Sequence, residues 1–152
     1  MARRFRAREG RVRGRLERDE VTLLRSLADE VMTLVRADGD DPVSRRLFPD
    51  ASFDPAVAAD LRDLLHDDLR EAKLANARAL VESLPADGDV DLDAETAEQW
   101  LSALNDLRLA LGTALGVTEE REDDDEDGEL LIYDWLTFLQ DSLVEAVSAL
   151  QR

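Results

Sequence analysis

The segment 97–116 constrains the fold most, because its apolar residues recur at spacings of three and four. That spacing places them along one face of an α-helix. The face consists of Ala97, Trp100, Leu104, Leu107, Leu111 and Ala114. Further apolar residues, such as Leu101 and Leu109, lie off this face, and a helix that is apolar around most of its circumference is normally covered on several sides. We therefore predict that this segment is the central helix of the fold.

Two helices are predicted before it. The first runs from Asp19 to a breaker at 38–42, where the sequence reads Asp-Gly-Asp-Asp-Pro. The second begins at Asp54 and Pro55, an N-cap followed by a proline whose missing donor costs nothing there, and it runs to Leu84. An aromatic content of only 5% also favours helices over sheets.

The central helix has its own start and stop signals, with Asp93 as the N-cap and Gly116 as the terminator. Residues 117–129 then contain nine acids and one arginine, and such a segment cannot bury apolar surface. We predict a mobile acidic loop there. An apolar stripe from Leu130 to Leu150 predicts the last helix, which completes an all-α bundle of four main helices.

The chain as a whole fits one helical domain, because 152 residues suffice for one core and rarely make two. It contains no cysteine, which excludes disulfides, thiolate metal sites and thiol redox switches within these residues. We see no apolar run long enough for a membrane span or a signal peptide, so we expect a cytoplasmic protein with no membrane partner. The oligomeric state is not predicted by any feature.

Charge is distributed unevenly along the chain. Residues 1–18 hold eight arginines and two glutamates, a net charge of +6, whereas the remainder carries −23 of the total of −17. An acidic body repels phosphate, so any contact with nucleic acid would have to come through this short basic arm.

The basic arm itself predicts a small N-terminal β-hairpin. Within 3–16, arginines alternate with apolar residues on both sides of a turn signal at Glu9 and Gly10. The functional interpretation is a nucleic-acid arm, and the alternative is a solvated edge hairpin that docks on acidic helices of its own fold. We favour the alternative because the body is acidic. The candidate arm residues are Arg3, Arg4, Arg6, Arg8, Arg11, Arg13 and Arg15.

Two acidic clusters are candidate metal sites. On the second helix, Asp63, His66, Asp67 and Glu71 could turn ligands to one side, but a di-iron bundle needs two histidines and the chain has only one. We therefore favour an ordinary surface histidine with an i,i+4 neighbour over a mononuclear site.

The acidic loop contains the second cluster, in which Asp123, Asp125 and Asp127 precede Gly128 as in the first half of a calcium-binding EF-hand loop. The twelfth position is Asp134, where a bidentate glutamate is expected. In so acidic a segment this spacing arises easily by chance, and a solvated loop is the favoured interpretation.

Catalytic motifs are absent from the sequence: there is no glycine-rich phosphate loop, no Gly-x-Ser-x-Gly elbow and no zinc-protease helix. We therefore expect a protein that is not an enzyme and that needs no cofactor.

The polar residues Asn105, Asp106 and Arg108 interrupt the central helix and form the most informative cluster. Polar groups near a core must be paired, and paired networks fix the register of helices. Two interpretations stay open: a structural network, which we favour, or a partner-binding groove lined by the two tryptophans and these polar groups. The candidate residues for either are Arg46, Trp100, Asn105, Asp106, Arg108, Trp135 and Gln140.

Three segments carry a family resemblance: Arg-Leu-Phe-Pro-Asp-Ala at 46–51, Leu-Asn-Asp-Leu-Arg-Leu-Ala-Leu-Gly-Thr at 104–113, and Tyr-Asp-Trp-Leu-Thr-Phe-Leu-Gln at 133–140. The chain resembles an uncharacterised actinobacterial domain-of-unknown-function family, some members of which are described as oxidative-stress transcriptional regulators. The resemblance implies a small cytoplasmic regulator that acts through a transcription partner such as a sigma factor. Oxidant sensing through cysteines does not carry over, since this chain has none.

We therefore expect a non-enzymatic regulatory or adaptor protein in stress-responsive transcription that acts by protein–protein contact. The alternatives are a DNA-binding regulator that uses the arginine-rich arm and, less favoured, a calcium binder that uses the acidic loop.

Overall fold

A computed structural model of the chain describes residues 4–37, 47, 59–115 and 129–151. Within these residues four helices accompany a three-stranded antiparallel sheet of order β1-β2-β3. The helices are α1 (Arg18–Ala37), α2 (Ala59–Ser83), α3 (Ala94–Leu115) and α4 (Glu129–Leu150). The strands are β1 (Phe5–Arg8), β2 (Arg11–Arg15) and β3 (Asp89–Leu92). The predicted all-α class with a small N-terminal hairpin is confirmed, and the single domain stays a prediction.

The hairpin turns where the sequence predicts it. Arg8 pairs with Arg11 across a two-residue loop, and the loop residues Glu9 and Gly10 have φ angles of 54° and 78°. Positive φ at both central positions is the geometry that matches the twist of the two strands. Gly10 adopts it without a steric penalty.

The strand β3 was not predicted, and it extends the hairpin into a sheet. It comes from the connection between α2 and α3 and pairs with β2, with Val12 opposite Leu92. The backbone N–H of Leu16 also donates to the carbonyl of Gly88 at 2.8 Å. The only local signal was the alternation of Asp and apolar residues over four positions, which is too short to establish a strand without its neighbour.

Capping hydrogen bonds mark the first turns of α1 and α3. The N–H of Thr96 donates to the carboxylate of Asp93 at 2.7 Å, which confirms the predicted N-cap of α3. At α1, the carboxylate of Glu20 accepts the backbone N–H of Glu17 at 2.8 Å, the back-bonding half of a capping box.

The helix α3 is central, as predicted. It packs against α1, α2 and α4 and also meets β2 and β3. Its Trp100 is fully buried and meets the ring of Phe5 edge-on, with ring centroids 6.1 Å apart. Because Phe5 belongs to β1, the inner face of the sheet and the helices share one hydrophobic core.

Some predicted features lie outside the described residues: the start of the second helix at Asp54 and Pro55, the terminator Gly116, and most of the acidic loop, of which Glu129 begins α4. In the part of the chain that the structure does describe, none of the helices combines the length and apolar character needed to cross a bilayer.

Candidate functional site

The polar cluster of α3 is built around a partly buried ion pair. Asp106 is 6% exposed, and the Nζ of Lys73 on α2 lies 2.8 Å from its Oδ1. Burial raises the pKa of Asp106 above its ordinary value, and the hydrogen bond and charge of Lys73 oppose that rise. The only lysine of the chain thus holds the carboxylate of α3 against α2.

The other polar residues of the cluster meet at Asn105. Its side-chain oxygen accepts hydrogen bonds from Nη2 of Arg108 at 3.5 Å and from Nε2 of Gln140 on α4 at 3.4 Å. The candidate residue Gln140 therefore lies next to Asn105. Both bonds are long for N–H···O contacts, and Nε of Arg108 and Oε1 of Gln140 are buried without a hydrogen-bond partner among the described residues. The cluster connects α2, α3 and α4, and its Lys73–Asp106 contact is the tight one.

The two tryptophans lie apart from this cluster. Trp100 is 0% exposed and donates from its indole N–H to Oγ of Ser83 at 2.7 Å, so it offers no surface to a partner. Trp135 donates to Oε2 of Glu20 on α1 at 2.6 Å. Arg46 lies outside the described residues. The described members of the predicted set thus belong to different sites: those at positions 105, 106, 108 and 140 lie in the cluster, and the two tryptophans lie outside it.

The carboxylate of Glu20 makes three contacts that the sequence does not predict. Besides its bonds to Trp135 and to the N–H of Glu17, its carboxylate pairs with Nη1 of Arg4 at 2.8 Å. Its side chain is only 13% exposed. One carboxylate therefore ties the start of the hairpin, the first turn of α1 and the helix α4 together.

The outer face of the sheet carries a row of arginines on each of two strands. Along β1 and β2, buried Phe5 and Val12 point to the core, and the alternate positions point to solvent. Five of the seven candidate arm arginines therefore lie on the solvent-facing side of the sheet. We call this surface the arginine face, and its residues are Arg6, Arg8, Arg11, Arg13 and Arg15.

The arginine row of β2 is paired with aspartates of β3. Arg15 contacts Asp89, and the Nε atoms of Arg11 and Arg13 lie 2.7 and 3.8 Å from Oδ1 of Asp91. The hydrogen bond from Arg11 lowers the pKa of Asp91 and, in return, raises the pKa of Arg11. These ion pairs are exposed to solvent, so their contribution to stability is small.

Among the residues that the structure describes, the arginine row of β1 has no such partners. Arg6 lies opposite Arg13 and Arg8 lies opposite Arg11, so each faces a like charge. The structure gives neither Arg6 nor Arg8 a hydrogen bond or ion pair with any residue that it describes. Of the described candidate arm residues, only Arg4 docks on an acidic residue of a helix, as the favoured hairpin interpretation expected.

The candidate metal sites receive no positive evidence. Among the described residues, no group of three or more histidine, aspartate or glutamate side chains is placed to hold an ion. The side chain of Asp63 lies outside that description, as do Asp123, Asp125 and Asp127.

The fold and these surfaces define a four-helix bundle with a polar inter-helix cluster and an arginine-faced sheet. The chain belongs to the family described as Domain of unknown function (DUF2017), whose model matches residues 2–147. The family resemblance inferred from the sequence is confirmed.

Relatives in mycobacteria carry a functional name. The chain is 35% identical over 144 residues to the AosR protein of Mycobacterium leprae, an alignment that covers 79% of this chain and 66% of that protein. It is 33% identical over 124 residues to the oxidative stress regulator AosR of Mycobacterium bovis and of Mycobacterium tuberculosis, covering 68% of this chain and 57% of each relative. The chain thus spans less than two thirds of the length of these relatives. No solved structure matches it.

Proposed function

We propose that this protein is a non-enzymatic regulator or adaptor in stress-responsive transcription and that it acts by protein–protein contact in the cytoplasm. Its similarity to proteins named oxidative stress regulator supports the regulatory role. The transcription partner, for example a sigma factor, is part of the proposal.

The observation that carries the proposal is the arginine face. It is a solvent-facing array of five arginines on a chain whose net charge is −17, and its inner side is anchored in the core through Phe5 and Val12. A charged surface on a rigid element is suited to recognition of an oppositely charged partner. Buried Asp106 and half-buried Lys73, by contrast, neutralise each other, which is the arrangement of a structural network.

Direct DNA binding through the same arginines is the second candidate function. It is favoured by the absence of ion pairs at Arg6 and Arg8 within the described residues and opposed by the acidic remainder of the chain. Deletion of residues 1–18 is a poor test, because Phe5, Val12 and Leu16 belong to the core and their loss would damage the fold. Charge-removing variants of the exposed arginines are the appropriate tool.

The proposed function is tested by affinity purification of the tagged full chain from its native host at physiological salt. Quantitative mass spectrometry compares the recovered proteins with those on a tagged, unrelated acidic protein of similar size. Enrichment of a protein of the transcription apparatus is the expected result. If none is enriched over the control, the adaptor role in transcription is wrong.

A further inference from the structure

Within the sheet, the arginines of β2 already bind the aspartates of β3. The strand β3 reads Asp-Val-Asp-Leu, so its aspartates occupy alternate positions and lie on the same face as the arginines of β2. Asp89 is directly opposite Arg15, and Asp91 is directly opposite Arg13. Alternate residues of an extended strand are about 6.6 Å apart, so carboxylates and guanidinium groups match in spacing when both chains are extended.

The strand β1 repeats the arginine spacing, but none of the described strands places aspartates beside it. Arg6 and Arg8 are alternate residues on the exposed face, and their cross-strand neighbours are arginines rather than aspartates. Like charges directly opposite each other are unfavourable, and an added pair of carboxylates would relieve that repulsion. The row on β1 therefore has the charge, the spacing and the exposure to receive an acidic segment.

We propose that the β1 row of the arginine face binds a protein segment that presents carboxylates at alternate positions of an extended chain. This partner is the one through which the proposed regulatory function would operate, so the inference rests on that function. The edge of β1 is occupied at Phe5, whose N–H donates to Oγ of Ser142 on α4 at 2.9 Å. The partner's carboxylates accordingly contact Arg6 and Arg8 across the exposed face, without continuing the ladder of backbone hydrogen bonds along the whole strand.

The observations favour a protein segment over nucleic acid. With two arginines that lack a described ion-pair partner, the β1 row would neutralise about two phosphates, whereas tight duplex binders make about 6–10 phosphate contacts. A duplex also brings one negative charge per roughly 1.7 Å toward a chain that is already strongly acidic. A short acidic segment brings few charges, and β3 shows that the sheet accepts them.

The test is a calorimetric titration of the full chain at low salt with three probes. The first is a capped ten-residue peptide with a central Asp-Val-Asp-Val-Asp sequence, the second replaces its aspartates with asparagine, and the third is a 20-base-pair DNA duplex. Each probe is titrated into the wild type, into Arg6→Gln/Arg8→Gln, and into the matched control Arg25→Gln/Arg78→Gln. The control variant removes the same charge from exposed helical positions.

We expect the aspartate peptide to bind the wild type and the control variant and to lose about fivefold or more of its affinity for Arg6→Gln/Arg8→Gln. The asparagine peptide should not bind. Equal affinity of the aspartate peptide for both variants, or no binding to the wild type, overturns the inference. So does a duplex that binds tightly through Arg6 and Arg8 while the peptide does not. Urea denaturation of each variant verifies that it is folded.

The experiments distinguish a failure of the proposed binding surface on β1 from a failure of the proposed regulatory function. If a transcription protein co-purifies equally with the wild type and with Arg6→Gln/Arg8→Gln, the regulatory function stands and another surface carries it. If the peptide binds as expected but no transcription protein is recovered, the binding surface stands and the role in transcription is wrong.

Discussion

The Nζ of Lys73 lies 2.8 Å from Oδ1 of Asp106, and the two side chains are only 14% and 8% exposed. The pair connects α2 to the central helix α3 at a position where Asp106 is buried and Lys73 is half-buried. Breaking such a pair leaves one charge buried without its partner, which costs more than the intact pair contributes.

Replacing Lys73 with methionine should lower the free energy of unfolding by about 2–4 kcal/mol at neutral pH, because Asp106 then stays buried without a counter-ion. The double variant Lys73→Met/Asp106→Leu should recover most of this loss, since no buried charge is left unpaired. Urea denaturation at matched pH measures both. A single variant as stable as the wild type would contradict the structural role of the pair.

The same variant should have a defined pH dependence. Burial already raises the pKa of Asp106, and removing Lys73 removes the group that opposes the rise. In the variant, the folded protein keeps the proton of the Asp106 carboxyl group to a higher pH than the unfolded chain does. The resulting stabilisation is fully present below the pKa of the unfolded state, and it is lost as the pH rises through the pKa of the folded state. We expect the deficit of Lys73→Met to shrink in mildly acidic buffer. A deficit that grows on acidification would contradict this assignment.

Gly88 should be far less tolerant of alanine than Gly10. Both have positive φ, of 84° and 78°, but a Cβ at Gly88 would lie 1.9 Å from the carbonyl oxygen of Leu16, whereas nothing lies within 4 Å at Gly10. Gly10→Ala should therefore lower the free energy of unfolding by only about 1 kcal/mol, through backbone strain. Gly88→Ala should lower it by more, because β2 and β3 must also separate to make room for the Cβ atom. Thermal denaturation compares the two, and equal losses would contradict the register of the sheet.

Glu20 should be more important for stability than other acids of α1. Glu20→Ala removes the bonds to Arg4, Trp135 and the N–H of Glu17, and we expect a loss of about 2–3 kcal/mol. The exposed Glu30 on the same helix is the matched control, and its alanine variant should stay within about 0.5 kcal/mol of the wild type. Fluorescence of the indole of Trp135 should change only in the Glu20 variant.

Arg8 and Arg15 should respond in opposite directions to substitution by threonine, a residue that suits strands. Arg8 faces Arg11, so Arg8→Thr removes a repulsion and should raise the urea midpoint slightly. Arg15 contacts Asp89, so Arg15→Thr should lower it slightly. A lower midpoint for Arg8→Thr would indicate that the β1 row stabilises the fold.

The features that sequence reasoning recovered are governed by local rules. The apolar spacing around Trp100 specifies a helix whatever its neighbours are, Asp93 caps the turn that follows it, and Glu9 with Gly10 selects the hairpin loop. Each depends on residues within a few positions of one another.

The features that it missed depend on contacts between distant segments. Lys73 is 33 positions from Asp106, and Glu20 is 115 positions from Trp135. The strand β3 forms because its backbone pairs with that of β2. Its own four residues have too little strand preference to predict it from the sequence. The sequence makes Trp100 a candidate residue of a partner-binding groove, whereas packing against Phe5 buries its side chain completely.

The most direct test of the account is a comparison of three tagged baits in lysate of the native host: the wild type, Arg6→Gln/Arg8→Gln and Arg25→Gln/Arg78→Gln. The enrichment of transcription proteins is measured by quantitative mass spectrometry at physiological salt. We expect the same enriched protein on the wild type and on the control variant, and its loss on Arg6→Gln/Arg8→Gln. Equal recovery on all three baits, or no transcription protein on any of them, would contradict it.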